Sequence, residues 1–231
     1  MLSRLYISTQ RSGNVAGHQL FDMTTTEIDH LVFATPNLAQ GVGEIEALTG
    51  VRASAGGQHT AWGTHNCLLA LGSDAYLEII APDPSQPPPT TPRPFGIDDL
   101  THSRLVTWAA RGSRLKQFAH AAAERGVLLG ERFSGSRVRS DGAVLSWQLT
   151  SPWTLLEGGL IPFFIDWGSS PHPAASAAPG LLLVELRAEH PSPDVLARTL
   201  RTLGLGLPIQ LASNAALVAT IDGPNGRIQL R

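Results

Sequence analysis

Residues 28–50, Ile28-Asp29-His30-Leu31-Val32-Phe33-Ala34-Thr35-Pro36-Asn37-Leu38-Ala39-Gln40-Gly41-Val42-Gly43-Glu44-Ile45-Glu46-Ala47-Leu48-Thr49-Gly50, set out the plan on which the rest of the chain is built. An apolar run reads as a strand from Ile28 to Ala34, and Thr35-Pro36-Asn37 turns it. Leu38, Val42, Ile45 and Leu48 then recur at helical spacing, with Asn37 as the N-cap and Gly50 as the stop.

The same order returns twice. Arg104-Leu105-Val106-Thr107-Trp108 begins a second strand, Ser113 is the cap candidate, and Leu115, Phe118, Ala119 and Ala122 share a helical face before Gly126. Leu181 to Leu186 is a third strand, after which Ser192-Pro193-Asp194 opens a helix through Val195, Leu196, Thr199, Leu200 and Leu203 to Gly204. Further short apolar runs read as strands at Asn66–Leu71, Tyr76–Ile80, Ala143–Leu149, Leu160–Trp167 and Ala216–Ile221. The turn formers from Asp222 to Gly226 make the last two strands a hairpin.

These signals give an α+β chain of repeated strand-helix-strand-strand-strand (βαβββ) modules on a cupped mixed sheet. An N-terminal extension spans residues 1–25, and modules span 26–84, 102–168 and 181–231. Pro-rich connectors at 85–101 and 169–180 separate the modules, because proline neither donates to a ladder nor fits a sheet interior. One such module cannot cover both faces of its sheet, so two must pair around a shared cavity. The third is left to cap the cup or to meet a second copy in a homodimer, and the sequence does not choose which modules pair.

Composition narrows the function. The chain has 231 residues, 42% of them hydrophobic, enough for a substantial core. Lys and Arg total 17 against 19 Asp and Glu, without a basic stripe, which argues against nucleic acid as a partner. Residues Met1 to Met23 have neither a signal-peptide profile nor a long apolar stretch, so no membrane partner is expected. The single cysteine, Cys67, has apolar neighbours and reads as a buried thiol, in keeping with a reducing cytoplasm. Phosphate-binding Gly-rich loops, a Gly-x-Ser-x-Gly elbow and paired cysteines for zinc are all missing from the sequence. The arginines around Phe133-Ser134-Gly135-Ser136-Arg137 read as solvated.

Two polar groups stand out inside apolar strands: Asp29-His30 in the first, and Glu78 in Tyr76-Leu77-Glu78-Ile79-Ile80. Buried, both need partners. With Gly56-Gly57-Gln58-His59 and Gly63-Thr64-His65-Asn66, these stretches make the chain resemble the glyoxalase-like branch of the vicinal-oxygen-chelate superfamily, from Glu27 onward. The resemblance implies a divalent metal (Zn, Mn, Fe, Co or Ni) at His30 and Glu78, with Glu78 as ligand, base or both. It also implies a small-molecule substrate with vicinal oxygens, undergoing lyase, isomerase, epimerase or dioxygenase chemistry. Matching the helices sets Val106 or a neighbour opposite His30, and Phe163, Phe164 or Ile165 opposite Glu78, so the second module departs from the family's ligand pattern. Glu185 and Gln229 would substitute if the third module paired with the first. Without metal, His30 and Glu78 would bond each other and support the cup, and the protein would sequester an aromatic or amphipathic compound.

His59 and Asn66 fall on the family motif, His59 as a catalytic candidate and Asn66 as a substrate contact. Trp108, Trp147 and Trp167 come from strands that alternation can aim into one cavity, while Asp166 and His172 flank that wall; all five are substrate-binding candidates. For His65 an ordinary hairpin position is preferred.

Overall fold

The computed structural model describes residues 28–138 and 144–231. The expected N-terminal extension lies outside them. The first module comprises β1 (Ile28–Ala34), α1 (Leu38–Thr49), β2 (Ser54–His59), β3 (Thr64–Leu71) and β4 (Tyr76–Pro82). The second comprises β5 (Arg104–Arg111), α2 (Leu115–Ala123), β6 (Arg132–Val138), β7 (Val144–Thr150) and β8 (Phe163–Asp166). The third comprises β9 (Ala178–His190), α3 (Pro193–Thr202), β10 (Ile209–Leu211), β11 (Ala216–Gly223) and β12 (Gly226–Leu230).

Capping follows the sequence in α1: the Asn37 Oδ1 accepts the Gln40 N–H at 3.0 Å, and Gly50 ends the helix in the left-handed region at φ 78°. In α2 it does not. Arg114, at φ 49°, occupies the cap position in place of Ser113, and its side chain makes no capping bond to the first turn.

The first two modules share one internal strand order, β1-β4-β3 with β2 on β3, and β5-β8-β7-β6. In each, the first strand lies parallel to the last, and β1 pairs antiparallel with β5 to join the modules. These two therefore form the cup. The third keeps the βαβββ element order but pairs its strands differently: β9 lies between β10 and β11, and β12 follows β11. It adds to the far end of β3, with Leu69 beside Ala178 and Leu71 beside Leu181.

Strand alternation divides the core. Leu31, Phe33, Leu77 and Ile79 pack on the helix side with Val42 and Ile45 of α1. Val32, Ala34 and Ile80 face the cup with Leu145, Trp147, Leu149, Phe163 and Ile165. Two bulges interrupt this phase on the β1–β5 seam: the register steps from Ile28↔Ala110 to His30↔Ala109, and from Val32↔Thr107 to Phe33↔Leu105. The extra residues are Asp29 on β1 and Val106 on β5. Among the described residues no helix is long and apolar enough to cross a membrane.

Candidate functional site in the cup

The cup is lined from the first module by His30, His59, Trp62, Asn66, Leu68, Tyr76 and Glu78. Arg137, Trp147, Leu149, Phe163, Ile165 and Trp167 line it from the second, with Phe95 and Pro152 from connecting segments. The space open to the centre of a water-sized sphere is about 30 Å³, room for a few waters. A larger ligand enters only as wall side chains give way, and Trp62 and Phe95 are the rings carried by turns rather than sheet.

Glu78 sits in mid-β4, 7% exposed. Asn66 lies on β3, two residues from the Glu78 partner Leu68, and so shares its face. The Asn66 Nδ2 donates to the Glu78 Oε1 at 2.5 Å, and its Oδ1 accepts the Gly57 N–H at 2.9 Å. A Cβ on Gly56 would lie 2.0 Å from that Oδ1, which is why the chain carries glycine there. The second carboxylate oxygen of Glu78 faces the His30 Nε2 at 3.7 Å, beyond hydrogen-bond reach.

His30 is held on three sides. Its ring stacks on Tyr76 with centroids 4.6 Å apart, Phe163 meets it edge-on at 5.4 Å, and its Nδ1 lies 2.8 Å from the Asp29 Oδ1. The bulge at Asp29 brings this fully buried carboxylate to the ring beside it. Asp29 also takes the Trp167 Nε1–H at 3.1 and 3.2 Å, the Arg111 Nε–H at 3.4 Å and the His172 Nε2 at 3.2 Å. The His172 Nδ1 accepts the Ala174 N–H at 3.3 Å, so its Nε2 carries the proton given to Asp29. Burial alone would raise the Asp29 carboxyl, but the hydrogen bonds from His172 and His30 outweigh it and hold the group well below the usual carboxylate range.

His59 ends β2 with its Nδ1 3.0 Å from the Thr64 Oγ1 and its ring against Trp62 and Trp147. Burial pushes this imidazole below its ordinary value, with Glu78 pulling it up and Arg137 pushing it further down. The neutral form is the resident one.

Of the residues singled out from sequence, His30, His59, Asn66, Glu78, Trp147 and Trp167 meet in the cup. His172 stands one layer behind, on Asp29 and edge-on to Tyr76. Trp108 does not reach the cavity. It is fully buried in the helix-side core and donates to the Leu160 carbonyl, because the bulge at Val106 reverses the alternation of β5. Asp166 is also outside, its Oδ1 accepting the Gly168 N–H on an outer groove that Gln148 shares. His65 is half-buried near Asp83 and off the cavity lining.

Arg137 reverses the solvated reading of its segment. It is 7% exposed and lines the cup, with its Cδ and Nη1 passing 3.2 and 3.3 Å from where a Cβ on Gly57 would stand. The missed signal was period-two alternation, which puts Phe133, Gly135 and Arg137 on one face of β6 and Ser134 and Ser136 on the other. Trp62, Tyr76 and Phe95 were likewise unread as cavity walls.

The donor set does not suit a divalent metal. His30 and Glu78 supply two ligands, Asn66 is spent on Gly57 and Glu78, and Phe163, Ile165 and Leu149 stand where the second module would supply more. A buried guanidinium in the same cup opposes a dication. Among the described residues no three His, Cys, Asp or Glu side chains cluster to hold an ion. Glu185 and Gln229 are exposed on the third module, Glu185 beside Arg187 at 3.5 Å, so they add nothing to the cup.

Among curated proteins none matches the sequence. A crystal structure of a hypothetical protein from Staphylococcus aureus is similar, with TM-score 0.57 and 11% identity over 87% of this chain and 83% of that one. Methylmalonyl-CoA epimerase from Mycobacterium tuberculosis aligns with TM-score 0.43 and 19% identity over 68% of this chain and 97% of that one. The family described as Glyoxalase-like domain matches residues 28–204, the two cup-forming modules and the third through its helix, and the chain belongs to that family.

Proposed function

We propose that the chain is a small-molecule enzyme working by proton transfer inside the cup, with Glu78 as acid–base group. The supporting observation is the posture of that carboxylate: buried, fixed through one oxygen by Asn66, and leaving the other oxygen toward the cavity and the His30 Nε2. A general base needs its oxygen held but not fully consumed by protein donors. Asp29 fixes the His30 ring, and with Nδ1–H given to Asp29 the Nε2 presents a lone pair on the Glu78 side. Neutral His59 and cationic Arg137 are placed to steady negative charge building on a substrate oxygen. Of the reactions the family resemblance opens, isomerisation, epimerisation and lyase cleavage need only such groups.

The test is hydrogen exchange. Candidate carbonyl acids and hydroxy-ketones are incubated in deuterated buffer and followed by proton NMR for loss of the α-hydrogen signal. Exchange that falls at least about 100-fold in Glu78→Gln supports the reading. Exchange indifferent to Glu78→Gln sinks it, as does stoichiometric Zn, Mn, Fe, Co or Ni that disappears in a His30→Ala, Glu78→Ala double variant. A second reading, sequestration of an aromatic compound, draws on the indoles of Trp62, Trp147 and Trp167 around the cavity. It predicts tight binding without exchange.

A further inference from the structure

We infer that the Tyr76 hydroxyl is a catalytic group of the cup, donating to a carbonyl oxygen of the ligand while Glu78 works at the adjoining carbon. The inference rests on the proton-transfer reading for the part played by Glu78, but not for the hydrogen bond itself.

Three observations converge. First, the fold uses the Tyr76 ring and not its hydroxyl. The residue is 4% exposed; its ring stacks on His30 at 4.6 Å, meets His172 at 5.6 Å and packs with Leu68, Ala70 and Ala174. Phenylalanine would make each of these contacts without taking a hydroxyl out of water. Second, that hydroxyl has no hydrogen-bond partner among the described residues. No side-chain oxygen or nitrogen among them is both sealed and unbonded, so the hydroxyl opens onto the space that its residue lines, which is the cup. Third, alternation sets Tyr76 and Glu78 on one face of β4 with Ile80, which packs in the cup-side cluster. Donor and carboxylate therefore share one wall, two residues apart.

A ketone in the cup would use both groups in one step. As its α C–H bond breaks, the proton passes to the Glu78 carboxylate, the electron pair forms the carbon–carbon double bond of an enolate, and the carbonyl π pair moves onto oxygen. The Tyr76 O–H donates to that oxygen throughout and keeps its own proton. A phenol suits the task here: burial first, then the charges of Asp29 and Glu78, push it well above its ordinary value, so it stays a donor at neutral pH. A donor already in place when the charge develops needs no reorganisation to meet it.

Acetone and 2-methylpropene are alike in shape and differ in the oxygen that Tyr76 would meet, and both are compact. Their affinities at pH 7, read by NMR from the indole N–H signals of the cup tryptophans, give a ratio in each protein. Tyr76→Phe should shift that ratio toward 2-methylpropene by at least about tenfold, and a shift under about threefold overturns the inference. With hydroxyacetone in deuterated buffer, Tyr76→Phe should lower the rate constant of α-hydrogen exchange at saturation by at least about 100-fold with KM little changed. Exchange that survives in Tyr76→Phe but is lost in Glu78→Gln overturns the inference and leaves the role of Glu78 standing. Where the parent catalyses no exchange, the role of Glu78 falls and the affinity ratio alone decides for or against the Tyr76 donor. Binding of neither probe at millimolar concentration overturns the inference together with the reading of the cup as a binding site. Should Tyr76→Phe not fold by near-ultraviolet circular dichroism, the parent chain labelled with 3-fluorotyrosine takes its place. The Tyr76 fluorine line, the one that persists in Tyr6→Phe, should then move more with acetone than with 2-methylpropene, and equal movement overturns the inference.

Discussion

Replacing Asp29 by Asn tests how the site is held together. The carboxylate is fully buried and faces donors on every side: the His30 Nδ1 at 2.8 Å, the Trp167 Nε1 at 3.1 Å, the His172 Nε2 at 3.2 Å and the Arg111 Nε at 3.4 Å. An amide turns one accepting oxygen into a donating NH2, and His172 cannot switch tautomer to meet it without losing the Ala174 N–H. About two charge-assisted bonds go, at roughly 1.5–3 kcal/mol each, giving a loss of about 3–6 kcal/mol. For a chain of this size that corresponds to roughly 6–24 °C in Tm. Urea unfolding followed by tryptophan fluorescence at pH 7 and pH 3 measures it. Because the folded-state Asp29 carboxyl is depressed, its stabilisation is fully present above the unfolded value near pH 4 and drains as pH falls below it. The asparagine variant lacks that dependence, so the gap should narrow by about 1 kcal/mol at pH 3. A gap under about 1 kcal/mol at pH 7, or one unchanged at pH 3, refutes the account of Asp29 as the anion that fixes His30, Trp167 and His172.

Gly159→Ala should cost at least about 3 kcal/mol in urea unfolding, since φ is +95° and the new Cβ would stand 2.0 Å from the Val106 carbonyl oxygen. Gly158→Ala, at φ +65° with open space around it, should cost only about 1–2 kcal/mol, and equal losses would contradict the assigned close approach. Asn66→Asp places a second carboxylate against Glu78, so one of the pair must keep a proton when folded. That raised value makes the variant weaker than the parent at pH 7 and restores it as pH falls through the raised value, which unfolding at pH 7 and pH 5 detects. Cys67 is half-buried rather than the fully buried thiol its neighbours suggested, and that burial raises its thiol above the ordinary value, so its alkylation by iodoacetamide at pH 8 should run several-fold slower than that of free cysteine; a faster rate would contradict the raised value.

The modules, the α1 caps and the closing hairpin were legible because they depend on local chemistry: an asparagine before a helix, a glycine after it, apolar residues at a fixed period. His30 and Glu78 stood out as polar groups inside apolar strands, His59 and Asn66 lay in glycine-flanked motifs, and the family resemblance is what set the four together. What depends on long-range pairing was not. The third module repeats the order of elements but inserts β9 between β10 and β11, an arrangement that no stretch of its sequence encodes locally. Arg137 was hidden by its type: an arginine among serines and a glycine reads as solvated until Gly57 across the gap is known to make room for it. Trp108 and Trp147 look equivalent as tryptophans on strands, yet one fills the helix-side core and the other the cup.

That last difference traces to the seam. Pairing two modules through β1 and β5 would, with unbroken alternation, turn Asp29 away from the His30 face and swing Trp108 into the cavity with Val106. Each strand instead takes up one extra residue, Asp29 on β1 and Val106 on β5, so their registers slip in opposite senses and recover within the seam. The first bulge brings a buried anion to His30. The second sends the Trp108 indole to the helix side, where its N–H meets the Leu160 carbonyl, and it lets the Thr107 hydroxyl bond the Gly159 carbonyl. The cup is thus lined by His30, His59, Asn66 and Glu78 from the first module, while the second lines it with rings and the Arg137 side chain.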